Sequence, residues 1–401
     1  MRKQLIIAFL FLPMLLFAQV KPGIEVLRDA NFELLKGKRV GLITNPTGVD
    51  RNLKSTVDIL FESPDVQLVA LYGPEHGVRG DIPAGVKVEN QVDAKTGLKV
   101  HSLYGKTRKP TLEMLQNVDV LVYDIQDIGC RSYTFISTMG LVMQAAAEHN
   151  KEVVILDRPN PLGGEKVEGS GVSQGYFSFV SQFDIPYIYG LTCGELANYL
   201  NQEIGCKLTV VPMQGWRRNM RFEDTGLPWV PTSPQIPSAE AAICYPATGI
   251  IGEMGFLNIG VGYTLPFQVM AAPWVKSVEL TEALNEKQLP GVVFRPILYK
   301  PLFGDMQGQT VQGVQIFITD YDKARLSEIQ FHVIEAMHQL YPSHVLFSAE
   351  TEKRNNMFDK VCGTNFIREN FSKQYKTDDI LSYWRNNEQV FKEKSASFYL
   401  Y

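Results

Sequence analysis

The first half of the chain alternates short apolar runs with amphipathic stretches. Arg39-Val-Gly-Leu-Ile43, Val66 to Tyr72, Val118 to Tyr123 and Val153 to Leu156 are near-continuous apolar runs of strand length, and Leu98 to Tyr104 reads as a further strand. Ser55-Thr-Val-Asp58 is a capping box, and Val57, Leu60 and Phe61 give the helix behind it an apolar face. A second helix, rich in Met and Ala, is predicted over about Phe135 to His149. Apolar strands separated by helices predict a parallel sheet covered on both faces and joined by right-handed crossovers. The expected fold class is α/β, with a Rossmann-like doubly wound sheet in the N-terminal domain.

The pattern then changes. Residues 162–245 are rich in Gly, Pro and aromatics, with one clear helix start at the capping box Thr192-Cys-Gly-Glu195. The Pro-rich stretch Trp229 to Pro237 must be extended or looped, and is the expected passage between domains. Beyond it, Val311 to Ile318 alternates like a half-buried strand. Ser327-Glu-Ile-Gln330 is a further capping box, leading into a helical stripe of Ile329, Val333, Met337 and Leu340. These features predict a smaller α+β C-terminal domain over 244–401, behind a Rossmann-like domain over 19–243. No internal repeat is present.

The first eighteen residues stand apart. Arg2 and Lys3 precede an apolar run from Leu5 to Phe17, ended by Ala18 and Gln19. A basic start, a short apolar core and a small residue predict a secretory signal peptide, too short to span a bilayer. The expected product is secreted and periplasmic, with no membrane span after cleavage. Export permits disulfides, yet the five cysteines (Cys130, Cys193, Cys206, Cys244 and Cys362) are scattered and form no C-x-x-C. Neither a disulfide framework nor a Cys-type zinc site is expected. Composition is that of a globular chain of 401 residues, 45% hydrophobic and 20% charged. With 39 Lys and Arg against 43 Asp and Glu, it shows no electrostatic footprint for nucleic acid.

Polar clusters recur just after the apolar runs: Asn45, then Glu75 and His76, then Asp124 and Asp127, then Asp157, Arg158 and Asn160. In a parallel sheet these points share one edge, where ligands bind. No G-x-G-x-x-G follows a strand, since Gly169-Ser-Gly and Gly260-Val-Gly both lack the third glycine; there is no P-loop and no G-x-S-x-G elbow. Carboxylates remain, and hydrolysis of a glycosidic bond needs two of them, one donating a proton to the leaving oxygen. Glu75 sits in a rigid loop between Gly73-Pro74 and Gly77, suited to a general acid. Its alternative is a loop ion pair with Arg79. Asp124 and Asp127 are candidates for the second carboxylate, for a hard-cation site with Asp157, or for a structural role. Arg79, Arg131 and Arg158 lie beside these carboxylates and offer forks for a ligand carboxylate, or local ion pairs. Tyr133 and Tyr104 are able to stack on a sugar face.

Gly73-Pro-Glu-His-Gly-Val-Arg-Gly80, Tyr123-Asp-Ile-Gln-Asp-Ile-Gly129 with Arg131 and Tyr133-Thr134, and Asp157-Arg-Pro-Asn-Pro161 together resemble the exo-β-N-acetylmuramidase family. The resemblance extends to the Pro-rich middle and to Ala272-Pro-Trp274. It implies a Rossmann-like fold with a smaller C-terminal domain. It also implies release of N-acetylmuramic acid from the non-reducing end of peptidoglycan fragments, with Glu75 catalytic and no cofactor. One stretch departs. Where members carry Glu-Gly-Thr-Asn followed by Gly-Arg-Gly-Thr, this chain has Glu253-Met-Gly-Phe and, at the arginine position, Val261.

The expected activity is therefore an exo-acting glycoside hydrolase with Glu75 as acid and Asp124 or Asp127 as second carboxylate. Asn45, His76, Arg79, Arg131, Tyr133, Asp157, Arg158, Asn160 and Glu253 are expected to bind the peptidoglycan-derived sugar. The alternatives are a metal-dependent hydrolase using Asp124, Asp127 and Asp157, and a non-catalytic periplasmic muropeptide-binding protein.

Overall fold

In the computed structural model, which describes residues 19–80, 91–348 and 351–401, the first half builds one seven-stranded sheet. The predicted leader lies outside the described residues. The strands are β1 (Arg39–Thr44), β2 (Gln67–Gly73), β3 (Gln91–Val92), β4 (Lys99–Ser102), β5 (Val120–Asp124), β6 (Glu152–Leu156) and β7 (Lys207–Val211). Their order is β3-β4-β2-β1-β5-β6-β7, and every pairing is parallel except that of β3 with β4. The chain steps outward from β1 to β2 and β4, then returns to β5 on the other side of β1. That reversal is a topological switch point, and it opens a crevice at the carboxyl ends of the strands.

Helices α1 (Gly23–Asp29), α2 (Thr56–Glu62), α3 (Leu112–Leu115), α4 (Phe135–Glu148) and α5 (Cys193–Ile204) accompany this sheet. Side chains of one strand alternate between its two faces. Ile43, Tyr72, Leu121, Tyr123 and Ile155 pack with Met139 and Met143 of α4 and Leu196 of α5. Leu42, Leu71, Val120, Val122 and Val154 pack with Ile24 of α1 and Val57 and Leu60 of α2. Both faces are thus covered, which explains why the strands read as unbroken apolar runs. The Thr192 capping box forms as predicted, its hydroxyl accepting from Glu195 N while the Glu195 carboxylate accepts from Thr192 N.

The second half holds α6 (Ala239–Gly252), α7 (Ser277–Glu286), α8 (Ile329–Leu340), α9 (Glu352–Cys362), α10 (Phe366–Gln374), α11 (Asp378–Trp384) and α12 (Glu388–Ser395). An antiparallel sheet joins them, formed by β8 (Val269–Ala272), β9 (Val292–Tyr299) and β10 (Val311–Ile318) in the order β8-β10-β9. Its core is continuous with Ile128, Tyr187 and Ile188 of the first half. The Ser327 capping box does not form. Ser327 N and Oγ both donate to Glu168, and a 3-10 turn over Leu326–Glu328 precedes α8. Gln330 is buried and serves α6: its amide accepts from Ile250 N and donates to Pro246 O, the pair an undisturbed helix joins directly.

Most of the polar residues predicted at the strand ends are structural. Asp124 is buried and receives Arg158 Nε at 2.5 Å, Arg158 Nη2 at 2.9 Å and Thr56 Oγ1. Asp157 accepts from Thr192 Oγ1, Gly194 N and Tyr401 OH, so it anchors the start of α5 and the last residue of the chain. Asn160 caps a turn through Leu162 N and holds Leu191 O; Asn45 does likewise for Thr47. Arg79 pairs with Asp93 at 2.8 Å and lies 3.5 Å from Asp58. Asp127 is buried and accepts from Gly129 N and Tyr189 OH. The metal-dependent alternative required Asp124, Asp127 and Asp157 to share one opening. They are spent on separate partners, and among the described residues no three His, Cys, Asp or Glu side chains stand close enough to hold a metal ion.

Arg131 is likewise no substrate ligand. It is buried, and its guanidinium donates to four carbonyls: Ser170 O, Ile185 O, Val361 O and Cys362 O, at 2.6–3.0 Å. Arg131→Met should destabilise the protein by ~3–5 kcal/mol, because four buried acceptors lose their donor. Urea denaturation measures this, and a loss below about 1 kcal/mol contradicts it. Asp127 gives a pH signature. Burial raises its carboxyl from 3.8 to about 7, so between those values the folded chain holds a proton that the unfolded chain releases. Its contribution is complete below the lower value and is lost as pH rises through the upper one. The stability of Asp127→Asn, relative to the parent, should therefore rise from pH 5 to pH 8 by at least about 1 kcal/mol. Denaturation curves at the two pH values check this; a constant difference contradicts it.

Candidate active site

A cavity of about 960 Å³ lies between the carboxyl edge of the large sheet and the second half of the chain. The loop after β2 supplies Glu75 and His76, the loop after β4 supplies Tyr104 and Arg108, and the segment leading into α4 supplies Ser132, Tyr133 and Thr134. Facing them are Tyr245 of α6, Glu253 just past its end, Val261, and Lys353 and Arg354 of α9.

The turn carrying Glu75 is fixed by its backbone. Gly77 N closes onto Pro74 O at 3.0 Å, and both His76 (φ 71°) and Gly77 (φ 76°) are left-handed. Such a conformation is costly for a residue with a Cβ, and backbone strain of this kind gathers at functional sites. It projects Glu75 over the N-terminus of α4. There Thr134, the residue preceding the helix, donates its hydroxyl to Glu75 Oε2 at 3.3 Å. The Tyr104 hydroxyl lies close to Glu75, and its own ionisation is pushed upward, by burial first and then by that carboxylate. Glu75 therefore sits at a helix N-terminus, beside the hydroxyls of Thr134 and Tyr104.

Glu253 occupies the opposite situation. It caps the C-terminus of α6, where the helix end is itself negative. Its side chain is exposed to solvent where it lines the cavity. Its pKa is raised, first by partial loss of hydration within the cleft and second by the charge of Glu75. The floor between the two glutamates is aromatic. Tyr133 packs edge-on against Phe135 and Tyr245, and its hydroxyl donates to Thr232 Oγ1 at 2.8 Å. Ser132 Oγ is 3.2 Å from the hydroxyls of both Tyr187 and Tyr245. Aromatic faces edged with hydroxyl groups suit the alternating apolar and polar surface of a sugar ring.

Of the residues expected from the sequence, Glu75, His76, Tyr133 and Glu253 line this cavity. Asn45, Arg79, Asp124, Asp127, Arg131, Asp157, Arg158 and Asn160 do not. The second carboxylate facing Glu75 is thus Glu253, rather than either aspartate after β5. Sequence reasoning missed Arg108 and Tyr245. Arg108 stands in a short basic run, Lys106-Thr-Arg-Lys109, that reads as an ordinary solvated loop. Tyr245 sits in an apolar helix, where an aromatic residue reads as core.

Comparison with known proteins agrees with this architecture. Residues 40–240 match the N-terminal region, and residues 243–401 the C-terminal region, of exo-β-N-acetylmuramidase NamZ. The peptidoglycan β-N-acetylmuramidase NamZ of Bacillus subtilis (strain 168) is 46% identical over 385 residues, covering 96% of this chain and 92% of that protein. A crystal structure of a DUF1343 family protein from Bacteroides fragilis superposes with a TM-score of 0.92 at 56% identity, covering 96% of this chain and 99% of the other. A second DUF1343 protein from the same organism gives 0.74 at 28% identity, with the same coverage. The two matched regions cover nearly all of the chain beyond residue 40, and the chain belongs to the exo-β-N-acetylmuramidase NamZ family.

Proposed function

We propose that this protein is an exported glycoside hydrolase that removes N-acetylmuramic acid from the non-reducing end of peptidoglycan fragments, with Glu253 and Glu75 as its catalytic pair. The observation that carries the chemistry is that two glutamates line one cavity, Glu75 beside the start of α4 and Glu253 with its carboxyl pushed upward by lost hydration and by the charge of Glu75. Pairs of carboxyl groups whose surroundings push their protonation apart divide into acid and base. The reading is supported by the muramidase relative and by the apolar leader at Leu5–Phe17.

In this mechanism the sugar rests on the Tyr133 and Tyr245 floor. Glu253, protonated, gives its proton to the glycosidic oxygen as the bond to the anomeric carbon breaks. Glu75, ionised, supplies negative charge to the oxocarbenium-like transition state. Water completes the reaction, its hydroxyl joining the anomeric carbon and its proton restoring the acid. The sequence alone placed the acid role on Glu75. The upward shift of the Glu253 carboxyl favours the reverse assignment. Thr134, through its hydrogen bond, positions the Glu75 carboxylate, and His76 and Tyr104 flank it.

Leaving-group dependence separates the two roles. On a muramyl disaccharide, Glu253→Gln and Glu75→Gln should each lower kcat/KM by about 10²–10⁴-fold. On the β-nitrophenyl glycoside of N-acetylmuramic acid the leaving group needs no proton. There Glu253→Gln should recover most of its rate and lose the basic limb of the pH profile, while Glu75→Gln remains impaired. Equal losses on both substrates for Glu253→Gln would contradict its role as acid, and tight sugar binding with no turnover by the parent would overturn the hydrolase reading.

A further inference from the structure

N-acetylmuramic acid differs from N-acetylglucosamine by a lactyl ether at O3, whose carboxylate is ionised at neutral pH. A cleft that selects it needs a cation with free donors at that point. Val261 offers the wall only an apolar side chain, and among the described residues three Lys or Arg side chains line the cavity: Arg108, Lys353 and Arg354. Arg354 is already engaged. Its Nε donates to Met254 O at 2.8 Å and its guanidinium lies 5.7 Å from the Phe256 ring, so it holds the loop that carries Glu253. Lys353, exposed on the first turn of α9, is a flexible point charge.

Arg108 is different. Its guanidinium carbon sits 4.3 Å above the centre of the Phe179 ring. Phe179 is itself buried, packs 6.2 Å from the Tyr104 ring, and is pinned by Ser137 Oγ donating to its carbonyl at 2.7 Å. A guanidinium resting on an aromatic face keeps its edge N–H groups available, the groups that grip a carboxylate with two hydrogen bonds. Among the described residues, no carboxylate pairs with it. It lines the same cavity as Tyr104 and Glu75, and its charge is felt at the Tyr104 hydroxyl.

We propose that Arg108 is the residue that recognises the lactyl carboxylate of the sugar and so sets the preference for muramic acid over glucosamine. This rests on the muramidase reading above and goes further by naming the group of the substrate and the side chain that meets it.

The test measures binding and turnover separately. Calorimetry gives the affinity of N-acetylmuramic acid, of its lactyl methyl ester and of N-acetylglucosamine for the parent, Arg108→Gln, Arg108→Lys and Lys353→Gln. Nitrophenyl β-glycosides of the same sugars give kcat/KM. Arg108→Gln should lower the preference for the free acid over its ester and over glucosamine by about 10- to 100-fold, mainly through Kd and KM. Arg108→Lys should recover part of that preference, and Lys353→Gln should retain most of it. If Arg108→Gln weakens all three sugars equally, its role is structural and the proposal fails. If Lys353→Gln removes the preference as fully as Arg108→Gln, general cleft charge is responsible and the proposal fails. Parent protein that binds but hydrolyses neither glycoside would overturn the functional reading, while the affinities would still decide the role of Arg108.

Discussion

The cleft depends on a buried guanidinium that has no carboxylate partner among the described residues. Arg131 stands in the loop between β5 and α4 and is held by four carbonyl groups, two of them the last carbonyls of α9. The C-terminal carbonyls of a helix carry partial negative charge, so α9 supplies part of the counter-charge that burial would otherwise deny. This contact fixes one end of α9. Its other end brings Lys353 and Arg354 to the cleft, and Arg354 grips the backbone beside Glu253. Ser132, Tyr133 and Thr134 follow Arg131 directly and form the floor. One short loop therefore anchors the far wall and supplies the near one.

Helix ends frame the pair. Glu75 meets the start of α4, where Thr134 donates to it, whereas Glu253 terminates α6. The amide of Gln330 lies across the last turns of α6 and ties them to α8, so the direction of Glu253 is tied to the core of the second half. The acid and its partner belong to different halves of the chain. Catalysis by this pair requires both halves to be docked, and the continuous core through Ile128, Tyr187 and Ile188 provides that docking.

The large sheet was legible because strands covered on both faces carry little besides apolar residues. β1, β2, β5 and β6 were all found this way, to within a residue or two. β7 was not, since Lys207-Leu-Thr-Val-Val211 is an edge strand, partly exposed and embedded in a polar stretch. The Ser327 box failed because tertiary partners, Glu168 above all, offered its donors more than a local turn did. At the site, sequence located the correct edge of the sheet, and Glu75 on it. It could not distinguish a carboxylate that faces the cleft from one that faces an arginine. Asp124 and Glu75 both follow buried strands. Only the fold shows that Arg158 occupies Asp124, and that Glu253, some 180 residues from Glu75 in sequence, shares its cavity.

The central claim is that Glu253 serves as the acid because its surroundings and the facing carboxylate of Glu75 hold its proton. Carbon-13 NMR titration of the glutamate carboxyls in the free protein, parent and Glu75→Gln, addresses it directly. Glu253 should titrate above the ordinary glutamate range in the parent and move downward when the charge of Glu75 is removed. A Glu253 that titrates at an ordinary value and does not respond to Glu75→Gln would contradict the account.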